Sequence, residues 1–234
     1  MAINKVICKG ETLMDITSST VSEDTLLLGE TAFDAKGEKI TGKLDTSSVA
    51  KWFEDPVNNP MVIPEGATTI GSSAFSAAKN VYGLIASKTL ETIGSEAFKD
   101  CTNLTGSINL KNVKTLGNAA FRGCSKITEV LMDGMEVVGG LAFYYCTALP
   151  SITFPGTVTN VQTGAMKNCS ALKTITFEKG DLAFPTAGIS SDAFVNCPAL
   201  TDIYVYWASG VVGNAPWSAP TGCKIHYSDT TVTV

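Results

Sequence analysis

The chain has 234 residues, 44% of them hydrophobic, with a formal charge of −5 and one histidine. That apolar fraction excludes a disordered chain. No run reaches the roughly 18 apolar residues of a membrane-spanning helix, so no membrane insertion is expected, and an acidic balance without a Lys or Arg cluster argues against nucleic acid. With His226 alone, Ser-His-Asp or Cys-His catalysis has a single possible base and a multi-histidine metal site cannot be built, so neither an enzyme nor a cofactor is expected.

Residues 1–45 form a first segment of distinct composition. Met1–Gly10 has no apolar core of signal-peptide length, which points to assembly in a reducing compartment. Thr20–Glu23 resembles a capping box ahead of Leu26, Leu27 and Leu28, and Gly29 is placed to end that short helix. Glu30–Asp34 and Lys39–Leu44 flank Ala35-Lys36-Gly37-Glu38 and predict a hairpin. Residues 46–60, with Asp55-Pro56 and Asn58-Asn59-Pro60, read as a linker whose Trp52 and Phe53 are suited to plugging the end of whatever follows.

Residues 61–206 are periodic. Cys101, Cys124, Cys146, Cys169 and Cys197 follow one another at 23, 22, 23 and 28 residues, with no close cysteine pair of the zinc-module kind. Aligned on them, a unit returns: Ile93-Gly-Ser-Glu-Ala-Phe98-Lys-Asp-Cys101-Thr-Asn-Leu104, then copies beginning at Leu116, Val138, Val161 and Ile189, with an earlier one at Ile70 that carries Ala78 in place of cysteine. Each of the six blocks precedes a short apolar alternation such as Leu149-Pro-Ser-Ile152-Thr-Phe154, which places Ile and Phe on one face of a strand. Ile93–Cys101 fits one tight helical turn. A unit this small cannot cover its own apolar face, so neighbours must stack, with the strands in one parallel sheet about 29 Å wide at ~4.8 Å per strand. The cysteines then lie in the core as small hydrophobes with free thiols. Glu178–Gly188, a lengthened stretch, reads as a loop bulging from the stack.

Residues 207–234 are rich in aromatics and turn residues, including Trp207, Trp217 and Ile225-His226-Tyr227. Two uses suit them: a cover for the last repeat, or a sugar-stacking platform of Trp207, Trp217 and Tyr204. His226 reads as a surface or cap histidine. The strand positions that point away from the core are mostly small and hydroxylated. They are either a solvated ladder or a ligand-facing surface, in which case the candidates are Glu129, Leu131, Thr153, Thr176, Asp202, Tyr204, Trp207 and Trp217.

The unit I-G-x-x-A-F-x-x-C-x-x-L-x-x-I-x-L resembles the BspA-type leucine-rich repeat. The resemblance implies an α/β repeat fold: a leucine-rich-repeat solenoid with a parallel sheet, used for protein interaction or adhesion, here preceded by a small N-terminal helix/hairpin module. Met166 for Phe and Gln162 for Gly depart from the pattern. Leu27-Leu-Gly-Glu-Thr-Ala-Phe-Asp-Ala-Lys-Gly-Glu-Lys-Ile-Thr-Gly42 is similar to a segment of phage and prophage tail and baseplate-associated proteins. Together the two resemblances imply a receptor-binding virion component. It would attach to other tail proteins through residues 1–45, present the solenoid to a cell-surface protein or polysaccharide, and assemble as a homotrimer. A host-encoded adhesion or interaction module at the bacterial surface is the alternative.

Overall fold

The structure is a computed structural model that describes the backbone of residues 5–8, 11–15, 31–33 and 39–41, and residues 55, 57, 58, 60–180 and 188–234 in full. Two N-terminal hairpins come first, β1 (Lys5–Cys8) with β2 (Glu11–Asp15), and β3 (Thr31–Phe33) with β4 (Lys39–Thr41). The second is the hairpin expected around Gly37. The helix expected after Thr20, the Trp52 and Phe53 plug and most of the Glu178–Gly188 loop lie outside the described residues.

The repeats then follow as coils, each contributing a strand to two different stacks. The first coils carry β5 (Met61–Val62), β6 (Thr69–Ile70), β7 (Leu84–Ile85) and β8 (Thr92–Ile93). The middle ones carry β9 (Thr105–Asn109), β10 (Thr115–Leu116), β11 (Lys126–Leu131) and β12 (Val137–Val138). After them come β13 (Ser151–Phe154), β14 (Asn160–Val161), β15 (Thr174–Phe177) and β16 (Asp202–Val205). The chain closes with β17 (Lys224–His226) and β18 (Thr231–Thr233).

The arrangement departs from the single sheet expected, because each coil feeds two stacks of strands. The two-residue strands β6, β8, β10, β12 and β14 stack in parallel on one side and continue through a bridge from Val161 to Ile189. The longer strands stack on another side as two sheets, β11-β9-β7-β5 and β13-β15-β16-β17-β18. Their ladder breaks next to β11, where a bulge displaces Thr128 between Ile127 and Glu129, and a bulge bends its strand and raises the local twist. Both stacks end in reversed strands: β2 pairs antiparallel with β6, and β18 with β17.

Between the two strands of each coil, the tight helical turn expected at Ile93–Cys101 is instead a chain of β-turns. Ala97, Lys99 and Cys101 donate back three residues, to Gly94, Glu96 and Phe98. The alternate residues Glu96, Phe98 and Asp100 donate forward to Asn118, Ala120 and Arg122 of the next coil. A helix would turn every N–H inward. This backbone divides them between its own coil and its neighbour. Glu96, Asp100, Ala119, Leu141 and Tyr145 all sit at φ between 55° and 60°, a region that costs a non-glycine residue about 1–2 kcal/mol. Inter-coil hydrogen bonds and the packed core below hold it there.

That core is an aromatic and thiol ladder. Phe75, Phe98, Phe121 and Phe143 stack nearly parallel, at centroid separations of 5.3, 5.2 and 5.8 Å. Each cysteine thiol donates to the Phe carbonyl of the coil before it: Cys101 to Phe75 and Cys124 to Phe98 at 3.0 Å, Cys146 to Phe121 at 3.4 Å and Cys169 to Phe143 at 3.1 Å. Cys197 donates likewise to Met166, the residue that replaces Phe. The position therefore needs more than a small hydrophobe. It supplies a hydrogen bond to a buried carbonyl. Ala78 holds this position in the first repeat copy. All five ladder cysteines are buried and free. Burial pushes the Cys101 thiol up to about 11 and raises Cys124 and Cys146 as well.

Among the described residues, a coil also follows the six copies expected. Val212-Gly-Asn-Ala-Pro-Trp217 places Trp217 where the other coils have Phe, five residues after the apolar strand residue. The Phe194 N–H donates to the Trp217 carbonyl, and Lys224 pairs with Asp202 in the long-strand ladder. Cys223 then stands, buried, at the leucine position.

Two outcomes test this packing. A Cβ on Gly117 would strike the backbone nitrogen of Ser95 and lie 2.7 Å from the Gly94 carbonyl carbon. Gly117→Ala is expected to lose on the order of 1–3 kcal/mol of unfolding free energy in a urea titration, as coils are forced apart. In the native protein the five ladder thiols are expected to stay unreactive toward a disulfide-exchange reagent at mildly alkaline pH. All five should label once guanidinium unfolds the chain.

Candidate functional site

The alternation of the long strands divides their side chains sharply. In β13, Ile152 and Phe154 are buried while Ser151 and Thr153 face solvent, and β15 and β16 repeat the pattern. Register aligns the outward residues into rows across the sheet. Thr153, Thr176, Tyr204, His226 and Thr231 make one row, and Ser151, Thr174, Asp202, Lys224 and Thr233 the next.

Within these rows a compact cluster forms at the C-terminal end of the sheet. The Tyr204 ring stacks on His226, with centroids 4.4 Å apart and planes 9° off parallel. His226 Nε2 is 2.7 Å from Asp202 Oδ1, and its Nδ1 is 3.4 Å from Thr231 Oγ1. The imidazole thus ties β16 to β18. Pairing with His226 holds the Asp202 carboxyl below its ordinary value of 3.8. Beside the cluster, Tyr206 is 53% exposed, with Lys179 Nζ 5.2 Å from its ring centroid.

Thr153, Thr176, Asp202 and Tyr204 are brought together by register. Glu129 and Leu131 belong to the other sheet, beyond the break in the ladder, where they pair with Ser107 and Asn109 of β9. The sugar platform of Trp207, Trp217 and Tyr204 is not formed. Trp217 is fully buried, its indole N–H donating to the Gly213 carbonyl at 2.9 Å, because it occupies the Phe position of a coil. Trp207 is half-buried against Phe177, at 5.7 Å between ring centroids. Tyr204 has one ring face covered by His226. His226 and Tyr206 were absent from the candidates drawn from sequence. The signal for His226 was its place 22 residues after Tyr204, one period on. For Tyr206 it was the strand alternation carried two residues past Tyr204.

The depressed Asp202 carboxyl fixes a pH dependence. Its contribution to stability is complete above the ordinary value of 3.8 and is lost as pH falls through the lower folded value. Thermal melts of the parent and Asp202→Asn should differ above that value and converge in stronger acid.

The comparisons with known proteins concern the repeats. The BspA type leucine rich repeat region family matches in six copies over residues 50–173 and 136–211. Among solved structures, a leucine-rich repeat protein from Bacteroides ovatus superposes with a TM-score of 0.56 at 23% identity, over 72% of this chain and 42% of its own. The T. pallidum leucine rich repeat protein gives 0.54 at 20% identity, over 69% and 78%. This chain spans under half the length of the first, and at these identities both show the fold alone. No curated protein matches it. The repeat that register, thiol ladder and turn chain all reproduce coil after coil is that of the family matched, and the chain belongs to the BspA-type leucine-rich-repeat proteins.

Proposed function

We propose that this protein is a non-enzymatic binding module that adheres to a protein partner through the outward face of its long-strand sheet. The observation that carries the reading is the placement of Tyr204, Tyr206, His226 and Asp202 on a rigid ladder. Tyrosine at the centre of a polar patch is the residue type on which protein interfaces concentrate their energy. Family membership supports an interaction or adhesion role, and with it the bacterial cell surface as its place of work. It lends the component of a phage tail no comparable support. That reading rests on Leu27–Gly42, where only the hairpin strands β3 and β4 are described.

The test is surface binding. Labelled protein is titrated onto intact bacterial cells and onto immobilised extracellular-matrix proteins. Tyr204→Ala with Tyr206→Ala is expected to weaken the strongest of these interactions at least about tenfold, the scale of a hot-spot loss, with an unchanged melting temperature. Undiminished binding by that variant would sink the strand face as the contact surface.

A further inference from the structure

A second surface lies on a different side of the coils, along the turn chains. A shallow groove of about 710 Å³ runs there across successive coils, its walls built from Arg122, Asn118, Gln162, Thr163, Ser190 and Asn214. We propose that this groove binds an extended, uncharged polysaccharide lying along the solenoid axis, with successive sugar units seated on successive coils.

The polar groups are held in place before any ligand arrives. Asn118 Oδ1 and Gln162 Oε1 both accept from the Gly140 N–H, at 2.9 and 3.2 Å, which turns their NH₂ ends outward. Asn214 is fixed the other way: its Nδ2 donates to the Ile189 carbonyl at 3.0 Å, leaving its oxygen to accept. Thr163 and Ser190 hydroxyls lie 3.4 Å apart between them. Arg122 stands at one end, its guanidinium 5.2 Å over the Tyr144 ring. Donors, acceptors and hydroxyls in sequence suit a ligand made of hydroxyls, each of which both donates and accepts.

The backbone argues against a peptide here, because the groove offers it no edge to pair with. The Glu96, Ala119 and Leu141 N–H groups are already donated to Asn118, Gly140 and Thr163 of the next coil. Charge does not select an anion either: Glu96 is paired with Lys99 at 2.9 Å and Asp192 with the Ser190 hydroxyl at 2.7 Å, so acids and bases share this side.

Calorimetric titration with four neutral oligosaccharide series, cello-, malto-, manno- and chito-oligosaccharides from dimer to hexamer, tests the assignment. At least one series is expected to bind, with affinity rising tenfold or more from dimer to hexamer. Asn118→Ala with Gln162→Ala should lower hexamer affinity at least tenfold, and Tyr204→Ala on the strand face should leave it unchanged. Thr163→Arg, which fills the groove without removing either bond to Gly140, serves as a second variant should the double one melt early. The proposal is overturned if no series binds, if affinity is flat with length, if the groove variants bind as the parent does, or if Tyr204→Ala abolishes binding. Because the strand face is tested on proteins and cells, failure there leaves this groove standing, and the reverse also holds.

Discussion

Everything in this molecule depends on how closely one coil lies on the next. The turn chains approach to backbone contact, so that a methyl group at Gly117 or Gly139 would meet the main chain of the preceding coil at 2.7 Å or less. At that distance the N–H groups of the turns can reach the neighbouring coil, and they do so at alternate residues. Left-handed backbone at non-glycine residues such as Glu96 and Asp100 accompanies this arrangement. The glycines at 71, 94, 117 and 139, after the apolar strand residue, and the forward hydrogen bonds answer the same close approach.

The same proximity governs the core. A Phe carbonyl beneath a cysteine already accepts the N–H of its own coil's cysteine, as Phe98 does from Cys101, and still has a lone pair facing the next coil. A buried carbonyl of this kind is better satisfied than not, and a thiol is the smallest apolar-bodied side chain that can do it. Phenylalanine rings stacked almost parallel above one another then set the pitch. Where Met166 interrupts the rings, the following coil is the lengthened one and the short-strand ladder thins to the single bridge at Ile189. The long-strand side carries its own pair, Phe154 on Phe177 at 4.9 Å, through the same region.

Much of this was legible in the sequence. The repeat, the buried apolar residues of the long strands and the core position of the cysteines follow from a period of about 23 residues and strand alternation. What was not legible has a common cause, which is backbone geometry without a side-chain signature. Ala97, Phe98 and Cys101 share a face in a helix and equally in the turn chain that forms, so apolar spacing alone does not distinguish the two. The second stack of strands is only two residues wide, too short for alternation to register. The seventh coil hides because its Trp217, Pro220 and Cys223 stand where Phe, Cys and Leu would be expected, and composition then suggests a cover instead of a repeat. For the candidate surface, alternation placed Thr153, Thr176, Asp202 and Tyr204 correctly on one face. It could not show the break that separates Glu129 and Leu131 from them, since that comes from one bulged residue.

The thiol ladder has a consequence for where such a protein can work. Cysteine content is ordinarily a record of compartment: paired outside the cell, unpaired within. Here every ladder sulfur is committed to a main-chain oxygen of the adjacent coil and shut away from solvent, so neither an oxidising nor a reducing environment has a ladder sulfur to act on while the coils stay stacked. The five cysteines of the ladder thus mark how the coils pack and carry no record of compartment.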